Sequence, residues 1–109
     1  MEEEHALAAL AALSNPTRLK MIRLLVAAGP SGASAGDVAA GAGASPSRAS
    51  FHLSALANAG LVTVDRQAQT MIYKVSFEGL GALVAFLMED CCGNDPQIIA
   101  CCPPIGAAQ

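Results

Sequence analysis

With 109 residues, 53 % of them apolar and 14 % charged, the chain amounts to a single foldable domain and falls outside the disordered class. No apolar run approaches the ~20 residues of a membrane-spanning helix. The acidic start Met1-Glu2-Glu3-Glu4 lacks the basic segment of a secretory signal, so a soluble, cytoplasmic protein with no membrane partner is expected. The net charge of −3 argues mildly against a nucleic-acid partner, and the aromatic share of only 4 % predicts a thin, alanine-rich core that gains from dimerisation.

Residues 2–13 have helical composition, with Ala6, Leu7 and Leu10 on one face. Ser14-Asn15-Pro16 ends that helix and opens a second, Asn15 as the cap and Pro16 in the first helical position. This second helix is expected to reach Ala28, with Leu19, Ile22, Leu25 and Val26 inward and Arg18, Lys20 and Arg23 outward. Gly29-Pro30-Ser31-Gly32 is a break. Ser34 then caps a short third helix to about Ala42, and Ser45-Pro46 opens a fourth that ends near Asn58 and Gly60. Beyond Gly60 the pattern becomes β-rich in Leu61–Val64 and Met71–Val75, with the polar stretch Asp65–Thr70 between them. A last helix over about Glu78–Asp90 carries the stripe Leu80, Leu83, Val84 and Leu87. The tail from Gly93 reads as irregular. Residues 1–90 thus form the folded unit, and 91–109 a cysteine-containing tail.

The predicted fold is mainly α with a small β-hairpin wing: a winged helix-turn-helix. The second helix of such a pair normally enters the DNA major groove, and here it begins at Ser45. Its wheel turns Ala49, Leu53, Leu56 and Ala57 inward and Ser47, Arg48, Phe51 and Ala55 outward, with His52 and Ser54 on the flanks. Arg48 suits a guanine, Ser47 a base edge or phosphate, and Phe51 a thymine methyl. Ser45 and Ser50 share the helix start and complete the candidate contact set. Phe51 packed under a neighbouring turn, and His52 packed beside the wing instead of on a phosphate, are the plain structural alternatives. Arg66 near the wing tip and Lys74 on its second strand suit backbone phosphates. So few cations predict modest DNA affinity with strong salt dependence.

Three segments resemble the ArsR/SmtB metalloregulator family: Asn15-Pro16-Thr17-Arg18-Leu19, Ser45-Pro46-Ser47-Arg48-Ala49-Ser50-Phe51-His52-Leu53, and Ala59-Gly60-Leu61-Val62. The resemblance runs from about residue 6 to residue 90. It implies a homodimeric repressor of double-stranded operator DNA, paired through its first and last helices and released by an inducer. The Leu7/Leu10 face and the stripe on the last helix agree with that pairing.

The inducer site has to be located residue by residue. Arsenic sensors of the family with cysteines before the recognition helix find no counterpart in Ser34-Ala35-Gly36-Asp37-Val38. Zinc sensors use Asp and His on the last helix, which here offers Glu78, Glu89 and Asp90 but no histidine. There remain Cys91, Cys92, Cys101 and Cys102, similar to members whose arsenic-binding thiols lie at the end of the last helix. Thiolates select soft acceptors, and trivalent arsenic or antimony takes three sulfurs in a pyramid. Cys91 and Cys92 would supply two, and Cys101 or Cys102 the third, from the same chain or a partner. Adjacent cysteines chelate a tetrahedral zinc poorly. The other readings of the cluster are a divalent-metal site, a redox disulfide and an inert tail. An enzyme is not expected, because no catalytic acid, base or phosphate loop accompanies the thiols. A protein-binding winged helix remains compatible with the acidic balance. His5 among Glu2–Glu4 reads as part of a solvated helix start.

Overall fold

Side-chain caps set where the helices begin. The Asn15 Oδ1 accepts from the backbone N–H groups of Thr17 and Arg18 at 2.9 and 3.1 Å, which starts α2 (Pro16–Ala28) after α1 (Glu3–Leu13) has ended. Ser34 Oγ accepts from the Asp37 N–H at 3.1 Å and opens α3 (Ala35–Ala42). Gly43 closes that helix in the left-handed conformation. Ser45 Oγ accepts from the Arg48 N–H at 3.3 Å at the start of α4 (Pro46–Asn58). Residues 1–101 are described by this structure, a computed structural model.

The wing is larger than a hairpin. Strands β2 (Val62–Gln67) and β3 (Thr70–Val75) pair antiparallel from Val62 opposite Val75 to Gln67 opposite Thr70. The expected polar stretch is therefore mostly strand, closed by the two residues Ala68 and Gln69. Ala68 sits at φ +56°, where glycine or asparagine is usual, so no local hairpin signal marked the turn. A third, two-residue strand, β1 (Ala33–Ser34), pairs with the other edge of β3 and gives the order β1-β3-β2. It joins the wing to the start of α3, and two residues were too few to be seen as a strand in the sequence.

Met21, Leu25, Val38, Leu53, Leu56 and Leu61 are the large side chains fully enclosed at the centre. The expected face of α1 is split, and that of α2 is corrected. On α1, Ala6, Ala9 and Ala12 are buried while Leu7 and Leu10 point outward, because α1 lies against its neighbours through small side chains. On α2, Met21 joins Ile22 and Leu25 inside, whereas Leu19 and Val26 are exposed.

Helix α5 (Phe77–Ala85) is capped by Ser76, whose Oγ accepts from the Gly79 N–H at 2.9 Å. A Cβ at Gly79 would collide with the Gly60 carbonyl, so this glycine lets α5 approach the turn that follows α4. Of the predicted stripe, Leu83 is buried and Leu80 and Leu87 pack against the core, but Val84 is 58 % exposed. The helix then widens into a π-helical segment, Phe86–Cys91. Gly93 and Asn94 follow, both at φ +56°, and turn the chain into α6 (Pro96–Cys101). The tail expected to be irregular is thus helical over Pro96–Cys101. No helix is long and apolar enough to cross a membrane among the described residues.

Candidate nucleic-acid interface and thiol pair

Helix α4 is anchored by one face. Ala49, Leu53 and Leu56 are buried, which leaves Ser45, Ser47, Arg48, Ser50, Phe51 and Ser54 exposed along and beside the opposite face. The Ser45 and Ser47 hydroxyls lie 3.5 Å apart at the helix entry. Arg48 stands in the first turn with a free path to solvent, and Phe51 is 66 % exposed one turn further on. A phenyl ring left this open on a recognition-helix face is available for apolar contact with a base.

His52 is placed differently from its expected flank position. It is only 7 % exposed, and its Nδ1 accepts a hydrogen bond from Arg18 Nε at 3.1 Å. The acceptor role requires an unprotonated Nδ1, and hence a neutral ring with its proton on Nε2. Desolvation by burial first, then the positive charges of Arg18 and Arg48, hold the His52 pKa below its ordinary value of 6.5, in keeping with that tautomer. Phe51 meets the His52 ring edge-on with centroids 5.4 Å apart, and the Arg18 guanidinium carbon stands 5.8 Å from the Phe51 centroid. In the sequence Arg18 is an outward residue of α2 and part of the segment Asn15–Leu19. Its tie to α4 spans 34 positions in sequence and left no local signal.

On the wing, Arg66 is exposed near the turn, as a phosphate contact requires. Lys74 is half-buried, and its Nζ lies 3.6 Å from Asp65 Oδ2 on the neighbouring strand. A surface pair of this kind contributes at most about 1 kcal/mol, but it offsets part of the charge Lys74 presents to DNA. It is the one ion pair among the described residues.

The thiols lie beyond α5, on the π-helical segment and the elements after it. Cys91 closes the π-helical segment and is exposed; Cys92, next in the chain, is half-buried. Cys91 shares a groove of about 610 Å³ with Leu7 and Leu10 of α1 and with Phe86, Leu87 and Asp90 of its own π-helical segment. The Cys92 thiol is pushed up from its ordinary pKa, chiefly by its interaction with the Cys91 thiol, then by burial and the Asp95 carboxylate. Cys101 is exposed on α6, and Cys102 lies outside the described residues. Among the described residues no three His, Cys, Asp or Glu side chains come together to hold a metal ion. Cys91 and Cys92 thus form an adjacent pair of soft donors, and no third ligand stands beside them among the described residues.

This geometry has parallels in known proteins. A family of domains described as "Helix-turn-helix domain" matches residues 13–65. The HTH-type transcriptional regulator YgaV of Escherichia coli is 36 % identical over 89 residues, covering 82 % of this chain and 88 % of YgaV. An ArsR-like transcriptional regulator from Rhodococcus sp. RHA1 superposes with a TM-score of 0.73 at 25 % identity, over 89 % of each chain. The homodimeric winged helix-turn-helix DNA-binding domain of Mb0332 from Mycobacterium bovis, described as a possible ArsR-family regulator, superposes with a TM-score of 0.66 at 26 % identity, over 78 % of this chain and 76 % of that one. A protein described as a possible transcriptional regulator for arsenical resistance gives a TM-score of 0.66 at 27 % identity, over 88 % of this chain and 97 % of its own. With the exposed face of α4 and the wing, these relatives make this chain a member of the DNA-binding, winged helix-turn-helix transcriptional regulators of the ArsR-like type.

Proposed function

We propose that the chain is a homodimeric repressor that leaves its operator when trivalent arsenic binds Cys91 and Cys92, with Cys101 or Cys102 as third ligand. The observation that carries this reading is the groove in which Cys91 lies against the outward leucines of α1. Leu7 and Val84, each 58 % exposed, are apolar surface that a second subunit would cover. A ligand at Cys91 therefore acts on the same two helices that would join the subunits. The spacing of the two recognition helices sets whether they fit successive major grooves. The inducer has to bind the DNA-free form more tightly than the DNA-bound form, with a coupling of about 1–3 kcal/mol being typical.

The thiol chemistry supports arsenic over the alternatives. Arsenous acid condenses with thiols: each As–S bond replaces an As–OH bond and releases one water, with no net proton given up. A thiol whose pKa is pushed up, as that of Cys92 is, is no obstacle to that exchange. At Cys92 a divalent cation must displace the proton and peroxide attack needs the thiolate, so the raised pKa works against both at that residue. The resemblance to a protein described as a possible regulator of arsenical resistance points the same way.

The test is fluorescence anisotropy of a labelled promoter fragment from the protein's own locus. It is run under reducing conditions and then challenged with arsenite, antimonite, zinc and peroxide. Release at stoichiometric arsenite or antimonite, lost in Cys91→Ser and Cys92→Ser while DNA binding persists, is the expected result. Release by zinc or peroxide alone would replace the inducer and keep the repressor.

A further inference from the structure

Arg18 stands in the first turn of α2, at the positive end of the helix dipole, where a cation is disfavoured. No acidic residue occupies that turn, and no carboxylate pairs with Arg18 among the described residues. Its Nε is fastened to His52, which leaves the two terminal Nη groups without a hydrogen-bond partner among the described residues. No buried side-chain nitrogen or oxygen there lacks a partner, so those Nη groups reach solvent. They do so beside the exposed face of α4. The guanidinium neighbours Phe51, and Arg18 also lines a shallow groove between α1 (Ala8, Ala11, Ala12) and the end of α4 (Ala55, Asn58).

We propose that Arg18 is a phosphate-contacting residue of the DNA interface, donated by α2 and aimed by His52. An arginine held at Nε presents its Nη pair as a fixed fork, the geometry that suits a phosphate oxygen pair. Pinning in the free protein also removes the ordering cost that a mobile side chain would pay on binding. His52 is in this account a positioning residue that acts through Arg18. The proposal rests on the exposed face of α4 being the surface that meets DNA.

The measurement is the dependence of operator affinity on salt concentration for the full chain, with a random duplex in parallel. Each phosphate contact contributes about 0.9 to the slope of log K against log salt. Arg18→Gln is expected to lower the slope by about 0.9 per subunit on both duplexes; between 50 and 200 mM salt, two subunits so altered would lose roughly twelve-fold less affinity than the wild type. Arg18→Lys keeps the charge and is expected to keep the slope while binding more weakly at every salt concentration, because a lysine has no fork for His52 to hold. A slope unchanged in Arg18→Gln overturns the proposal, as does a loss confined to the operator, which would make Arg18 a base reader. A wild type with no salt dependence would overturn the DNA face itself, a distinguishable failure. Should the Gln variant not fold, the Nε–H resonance of Arg18 in the wild-type protein decides: a shift on adding random duplex, larger than that of Arg23, supports the contact, and no shift removes it.

Discussion

The recognition-helix end and the thiol end of this molecule are built in opposite ways. Around α4 each helix start has a side-chain cap, the inward face is sealed by Leu53 and Leu56, and even a half-buried cation such as Arg18 is tied down. Around Cys91 the helix widens into π-helical turns, the neighbouring leucines of α1 face outward, and α6 buries no residue of its own. The first end is complete within one chain. The second leaves apolar surface and soft donors open, which is the condition of a surface that awaits a partner or a ligand.

Substitutions separate the two ends. The largest effect is expected at Leu53, fully buried in α4: Leu53→Ala should cost about 2–5 kcal/mol in urea-unfolding stability, by lost burial and the cavity left behind. A loss below 1 kcal/mol would mean that the DNA-facing end is not the sealed one. Next comes Arg48→Ala, exposed on the same helix: about 1–3 kcal/mol of operator affinity should be lost, with the unfolding midpoint unchanged. Equal losses on operator and random duplex would reassign Arg48 from base to phosphate.

A smaller effect is set by His52. Its folded-state pKa is depressed, so below its ordinary value of 6.5 the unfolded chain takes up a proton that the folded chain refuses. Stability present above that pH is therefore lost as pH falls through it, with the charges of Arg18 and Arg48 facing the ring. Denaturation midpoints between pH 7.5 and pH 5.5 should decline in the wild type and decline less in His52→Gln; parallel curves would assign the acid sensitivity elsewhere. The smallest change is expected at the open end, where Cys91→Ser should stay within about 0.5 kcal/mol of wild type in stability. A substantially larger loss would show that the exposed thiol packs more than the groove suggests.

Local chemistry made the recognition end legible in the sequence. Asn15-Pro16, Ser34 and Ser45-Pro46 announce helix starts because a side-chain oxygen bonds a backbone N–H two or three residues away, an interaction contained in one short stretch. Ala49, Leu53 and Leu56 on the inward face of α4 followed from the helical period, whereas the burial of His52 did not. The same local rules named Arg48, Phe51 and Arg66 as exposed candidates, and the structure leaves all three at the surface.

Contacts between distant segments were not legible. The periodicity of α1 groups Ala6, Leu7 and Leu10, yet only packing decides that the alanines turn inward. The two-residue β1 exists because β3 offers it an edge. Lys74 looks like a free cation until the register of the hairpin brings Asp65 within 3.6 Å. Arg18 and His52 are linked across 34 residues by the way α2 lies along α4. Spacing in a sequence encodes what a helix or turn does with its own neighbours. Which face is buried, which charge is paired and which arginine is held in place are decided by surfaces that meet only once the chain has folded.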